Sequence, residues 1–208
     1  MRRRSLPCLA AAVLLLAGCA TAYRGPGDDT TAAELRRTCG ATAVEGVPFV
    51  AQVGREECGS AALAMILGYW RIDASEADVR AACPSAPEVG TAATTLRDHS
   101  RAKGLSAWVI RGEFADLEHE LARGRPVLVG LLQSWSDATW SHYAVVVGIS
   151  RANDCVVTID PARGWQKYAL GGFLDEWEPA GRLAMVFLRP STGAIAAAAE
   201  VNSSENPP

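Results

Sequence analysis

Histidine is scarce in this chain: His99, His119 and His142 are the three in 208 residues. A zinc centre needs imidazoles and thiolates at close, regular spacing, and no His/Cys spacing here suits one. An excess of positive charge is also missing. The formal net charge of -3 gives no electrostatic footprint for nucleic acid, which would demand a basic surface. There is no internal repeat, and no cofactor is implied by any motif. Long apolar runs are absent too: Leu6 to Leu16 is too short to span a bilayer comfortably. What remains is ordinary for a folded domain. A hydrophobic fraction of 49% argues against disorder, and the length suits one domain with a single core.

The first residues read as a targeting segment rather than structure. Arg2-Arg3-Arg4 forms a positive n-region ahead of the apolar run, which ends in Leu16-Ala17-Gly18-Cys19. That ending resembles the lipobox of bacterial lipoproteins. It implies a signal peptide over residues 1–18 and a lipidated Cys19 as first residue of the mature chain. Ala20 stands where an aspartate would imply inner-membrane retention, so the expected location is the cell envelope, at the periplasmic face of the outer membrane. Thr21 to about Asp29, with its Gly, Pro and charge, suits a short tether, and residues 19–46 are read together as lipidated N-terminus and tether. The end of the chain, residues 190–208, is alanine-rich and then Ser-, Asn- and Pro-rich, and is expected to be disordered. Of the six cysteines, Cys8 leaves with the signal and Cys19 takes lipid; Cys58 belongs to a motif discussed below. Cys39, Cys83 and Cys155 are left in a compartment that permits disulfides. Three cannot all pair within one chain, and the sequence does not say which two would.

Between these ends the pattern changes from helix to strand. Val47 to Gln52 is extended and Val53 to Glu57 a loop. Cys58 to Trp70 carries Leu63, Ile66, Leu67 and Trp70 at helical spacing. Ala74 to Cys83 is helical, begun by Ser75 and stopped by Pro84; Thr91 to Lys103 is a third helix, closed by Gly104. A short strand at Ala107 to Ile110 and a helix at Phe114 to Ala122 precede the second half. Strands are expected at Pro126 to Leu132, Tyr143 to Ile149, Val156 to Ile159, Gln166 to Leu170 and Leu183 to Leu188, with a short helix at Gly171 to Trp177. Ser134 to Ser141 reads as a polar loop whose Trp135 and Trp140 border a cleft. Helices first and an antiparallel sheet second is an α+β arrangement.

Four residues in this frame suit one chemistry. Cys58 opens the first apolar helix, where free N–H groups and the helix dipole favour a thiolate. Gly59 leaves room there for a substrate backbone. His142 precedes an apolar strand and can serve as base toward that thiol. Asp160 closes the next strand, and the turn at Asn153-Asp154 would bring it beside His142, although Asp160-Pro161 also fits a simple turn initiator. Gln52 lies six positions before Cys58, across a five-residue loop, so its amide can join the Cys58 N–H in holding an oxyanion. His99 and His119 read as surface positions on helices.

The segments Gln52 to Tyr69, His142 to Ser150 and Val157 to Trp177 resemble the peptidase C39 family, the papain-like domains known from bacteriocin-processing transporters. The resemblance covers roughly residues 47–189. It implies a papain-like cysteine peptidase fold, with N-terminal helices packed on an antiparallel sheet. It also implies a triad of Cys58, His142 and Asp160, an oxyanion role for Gln52, and a peptide or protein substrate. Glu57 stands where transporter-linked members usually carry aspartate, and Ser60 where proline or valine is common. No membrane domain or ATPase follows residue 189, so the expectation is a stand-alone exported lipoprotein form. A cell-wall amidase or acyl transferase with the same triad, and a binding module that keeps the fold without turnover, are the alternatives.

Overall fold

A computed structural model describes residues 22–190, apart from residues 88 and 137. The expected signal peptide and lipobox with Cys19, and residues 191–208 of the tail expected to be disordered, lie outside the described residues. Seven strands form one antiparallel sheet: β1 Asp28–Asp29, β2 Ser106–Arg111, β3 Val127–Ser134, β4 Thr139–Ser150, β5 Cys155–Asp160, β6 Gly164–Tyr168 and β7 Leu183–Leu188. Their spatial order is β1-β6-β5-β4-β3-β7-β2. The helices are α1 Ala32–Cys39, α2 Cys58–Tyr69, α3 Glu76–Ala82, α4 Ala93–Ala102, α5 Phe114–Ala122 and α6 Leu170–Trp177. This is the α+β architecture expected. No helix among the described residues is long and apolar enough to cross a membrane.

The centre of the molecule is α2. Every residue from Cys58 to Leu67 is buried, which matches a helix that is apolar on all sides. It packs against β4 on one side and against α3 and α4 on the other. Helix α3 starts with a capping box, in which the Ser75 hydroxyl accepts from the Asp78 N–H and the Asp78 carboxylate accepts from the Ser75 N–H. Phe114, Tyr168, Phe173 and Trp177 form an aromatic group at one part of the same core.

The structure corrects the reading of residues 19–46 as tether. From residue 22 on, this segment belongs to the domain. Ala22 N–H donates to Ser136, Tyr23 bridges to Trp135, and β1 adds to the sheet edge by pairing with β6. Helix α1 buries Leu35 and Cys39, and Val44 is buried just beyond it. Leu35 and Cys39 are one helical turn apart, a two-residue stripe too narrow to stand out in the sequence. The polar loop read over Ser134 to Ser141 is likewise mostly ladder. Strand β4 begins at Thr139, with Trp140 opposite Gln133 and His142 opposite Leu131.

Candidate active site

A short 3-10 turn, Arg55–Glu57, feeds the chain into α2, and Cys58 is the first residue of the helix. The turn is braced by α3. Arg80 lies 3.7 Å from the Glu57 carboxylate and 3.3 Å from that of Glu76. Ser60 Oγ is 2.9 Å from Glu57 O and 2.8 Å from Glu76 Oε1. Glu57 and Ser60, the two departures from the transporter-linked pattern, therefore belong to one network that fixes the approach to Cys58. Gly59 does not leave room for a substrate. A Cβ there would lie 3.1 Å from Thr91 Cβ and 3.3 Å from Tyr143 Cδ2, so the glycine admits close packing of α2 against those two side chains. Tyr143 OH also donates to Thr91 O at 3.1 Å.

The hairpin of β4 and β5 brings His142 and Asp160 together, 18 residues apart in sequence. Asp154 adopts a positive φ of 45° at its turn. His142 Nε2 is 2.9 Å from Asp160 Oδ1. A carboxylate can only accept, so Nε2 carries the hydrogen and Nδ1 is left for the hydrogen bond with Cys58. Burial alone would push the Cys58 thiol up. The charge and hydrogen bond of His142 and the Tyr143 N–H outweigh it and hold the thiol below its ordinary value. Burial likewise opposes charge on His142, but Asp160 and Cys58 raise it from 6.5 to about 10. Together these shifts move the pair toward thiolate and imidazolium, the form in which sulfur is a nucleophile.

Asp160 is fully buried, and it is also the turn residue that its Pro161 neighbour implies. Its Oδ1 accepts from Ala162 N–H at 2.8 Å as well as from His142. Its Oδ2 accepts from Gln133 Nε2 at 3.1 Å and faces Arg163 Nε at 3.4 Å. Burial would favour the neutral acid, yet His142, Arg163 and Gln133 keep the carboxyl well below the usual carboxylate range. The support continues outward. Arg163 Nη2 donates to Tyr168 OH at 3.0 Å, Tyr168 OH donates to Glu176 at 3.2 Å, and Tyr23 OH donates to Glu176 at 2.5 Å. The Arg163 guanidinium also stacks 3.4 Å from the centre of the Tyr23 ring. Gln133, Arg163, Tyr168, Glu176 and Tyr23 were not foreseen. Gln133 and Glu176 carried a readable sign, since each is polar yet in phase with the apolar face of its element.

Gln52 lies on the wall of the same cleft as His142, together with Arg55, Trp135, Trp140 and Ala162. Its Nε2, however, donates to Gly54 O at 2.8 Å and lies 3.3 Å from Arg55 O, while its buried Oε1 has no partner. The amide therefore faces the loop rather than the open cleft. Trp135 and Trp140 border the cleft as expected, with the Arg55 guanidinium 4.5 Å above the Trp140 ring. A second hollow continues from His142 past Cys58 to Thr91, Leu131, Tyr143 and Leu183. The two hollows share Ser141 and His142, so an extended chain laid across His142 would occupy both. Among the described residues no group of His, Cys, Asp and Glu could hold a metal ion. His119 is exposed and His99 half-buried on α4, and neither borders this cleft.

Solved structures share this architecture. A double glycine motif protease from an AMS/PCAT transporter, in complex with the leader peptide, is 24% identical with a TM-score of 0.58, covering 72% of this chain and 95% of that one. The peptidase domain of Streptococcus ComA, a bi-functional ABC transporter, is 21% identical with a TM-score of 0.57, covering 70% of this chain and 100% of that one. A C39-like peptidase from Bacillus anthracis is 16% identical with a TM-score of 0.56, covering 72% and 98%. Among curated proteins none matches the sequence. The profile of the Peptidase C39 family matches residues 46–189, well over half of the chain and the whole stretch from Gln52 to β7. By that match, and with the papain-like fold described above, this chain belongs to the peptidase C39 family.

Proposed function

We propose that the protein is a cysteine peptidase that cleaves a peptide or isopeptide bond through Cys58, His142 and Asp160. The observation that carries this reading is the buried chain of contacts from Cys58 through His142 to Asp160, which favours a thiolate beside a protonated imidazole. The thiolate attacks the substrate carbonyl, and His142 gives its proton to the departing amine. Water, deprotonated by the now neutral imidazole, then cleaves the thioester. The Cys58 N–H at the start of α2 serves as an oxyanion donor, and Gln52 can add a second once its amide turns from the loop toward the cleft. A related domain binds a leader peptide, which supports a peptide substrate here, and the two-armed cleft suits an extended chain.

The reading is tested with an electrophilic peptide, such as a peptidyl vinyl sulfone, at pH 6. Cys58 should be labelled in the native chain and not in denatured chain at that pH, and His142→Ala should abolish the labelling. Equal labelling of native and denatured protein would remove the enzyme assignment. The substrate is found by comparing envelope proteins of cells carrying wild type with those carrying Cys58→Ala: an uncleaved precursor should accumulate only in the latter. The proposed place of action, the cell envelope through a lipid on Cys19, rests on Arg2-Arg3-Arg4 and Leu16-Ala17-Gly18-Cys19. Mass spectrometry of membrane-extracted protein should find a diacylated Cys19 as the first residue, and an unmodified soluble chain would refute it.

A further inference from the structure

Helix α1 ends at Cys39 and strand β5 begins at Cys155, residues 116 apart in sequence. Their sulfurs lie 3.7 Å apart, both thiols are free, and both side chains are buried. Two thiols in van der Waals contact, with their backbones held on separate elements, need little movement to come within bonding distance. The surroundings are arranged for that contact. Gly148 lies on β4 directly beneath it, next to a bulge in the β4–β5 register. A Cβ at Gly148 would come 2.9 Å from Cys39 Sγ and 2.7 Å from Leu35 Cδ1, so the glycine leaves the space the Cys39 side chain fills. Asn153, in the β4–β5 turn, donates from Nδ2 to Thr38 O at 2.6 Å, and Val44 N–H donates to Val147 O at 2.7 Å. Helix α1 is thus tied on both sides of Cys39 to the hairpin that carries Cys155.

The other two thiols of the domain have different surroundings. Cys58 is engaged by His142. Cys83 is buried beside α4, with its sulfur 3.9 Å from Thr95 O.

We propose that Cys39 and Cys155 are a disulfide-forming pair that fastens helix α1 to the sheet and leaves Cys58 and Cys83 as thiols. The oxidant is a thiol–disulfide exchange partner, a protein or small-molecule disulfide. One cysteine thiolate attacks a sulfur of that disulfide, forming a mixed disulfide and releasing the first thiol. The second then attacks the protein-side sulfur and releases the other thiol. Two protein thiols lose two hydrogens, and one added disulfide becomes two thiols. The hydrogen bond with Cys39 and the positive charge of Lys167, against burial and the charge of Asp154, lower the Cys155 thiol, which favours it as first attacker. The sulfurs become reachable when α1 lifts, as a peripheral eight-residue helix does far more readily than the core. The consequence is mechanical. The bridge pins the start of β5, the strand whose other end is Asp160.

The four cysteines of the domain fall on separate tryptic peptides: 38–55 holds Cys39, 56–71 holds Cys58, 81–97 holds Cys83 and 152–163 holds Cys155. The full chain is equilibrated with oxidised glutathione, quenched with a maleimide under denaturing conditions, and digested without reductant. Peptides 38–55 and 152–163 should be found joined, while 56–71 and 81–97 carry maleimide or glutathione. The oxidised protein should melt at least about 5 °C above the same protein kept in dithiothreitol. That difference should vanish in Cys39→Ala and in Cys155→Ala and persist in Cys83→Ala. Free, maleimide-labelled Cys39 and Cys155 after oxidation would overturn the proposal. A cross-link from either peptide to 81–97, or glutathione retained on both cysteines, would overturn it equally. None of these outcomes bears on Cys58 as nucleophile, so this inference and the peptidase reading stand or fall separately.

Discussion

Asp160 has two tasks, closing the β5–β6 turn through Ala162 and holding His142, and the donors on its second oxygen let it do both. Arg163 and Gln133 touch neither Cys58 nor His142 in this network; they act through Asp160, as positioning residues. Arg163→Met should lower kcat by roughly 10-fold, about 1.4 kcal/mol. Without the cation Asp160 takes up a proton at higher pH, so the acid limb of the rate profile should move upward. A loss that is uniform across pH would mean that Arg163 only stabilises the fold. Asp160→Asn has the opposite signature. Its main effect is on His142, which loses the charge that helps raise it to about 10, so the alkaline limb should fall toward neutrality. Gln52 is the residue whose assignment the structure puts to the test, because its amide is engaged with the loop carbonyls. If it turns to hold the oxyanion, Gln52→Ala should cut turnover on the order of 100-fold. Iodoacetamide alkylation of Cys58, which builds no oxyanion, should keep its rate. If both rates fall together, Gln52 shapes the loop and its oxyanion role is withdrawn.

Helix α1 and the bulge under it make a test among the elements. A chain beginning at residue 47, the boundary that the sequence pattern drew, lacks Leu35 and Val44, whose burial is worth roughly 3–6 kcal/mol. It should melt on the order of 10 °C below a chain beginning at residue 22. An unchanged midpoint would return the segment to the status of tether. Gly148→Ala pushes a methyl into Leu35 and Cys39 and should cost about 1–3 kcal/mol by overpacking, read as a lower melting midpoint. What the sequence disclosed follows from these cases. Helix α2 was legible because ten buried apolar or small residues follow one another from Cys58 to Leu67. His142 and Asp160 could be gathered because a turn signal at Asn153-Asp154 sets the hairpin that pairs their strands. Helix α1, with two buried residues in eight, and β1, with two residues in all, carry too little pattern to register. Local sequence marks Gln133 and Glu176 as polar residues on apolar faces, but their pairing with Arg163 and Tyr168 depends on which strands and helix meet, which local sequence does not determine. The direction of the Gln52 amide depends on how the loop curls.

Taken whole, the molecule places two strongly perturbed charges, His142 and Asp160, in contact inside one core, and its pH response follows. His142 is raised, so its contribution to stability is complete below its ordinary 6.5 and is lost as pH rises toward about 10. Asp160 is depressed, so its contribution is complete above its ordinary 3.8 and is lost as pH falls below that. The melting midpoint of wild type relative to His142→Ala should therefore be most favourable between these values and should shrink steadily from pH 6.5 to pH 10. A pH-independent difference would mean that the imidazole is buried neutral. The docking of Tyr23 between Trp135 and Arg163 has a further result, concerning where such an enzyme could work. Trp135 also lines the cleft, so the chain joins the globule beside the opening that receives substrate. From the proposed lipid on Cys19 to Ala22 is three residue steps, a reach of about 10 Å even at full stretch. Under that proposal, an enzyme anchored so closely would not roam or rotate freely: its mouth would be held at a fixed height over the bilayer, and its working volume would be a thin layer of headgroups and whatever polypeptide emerges from them.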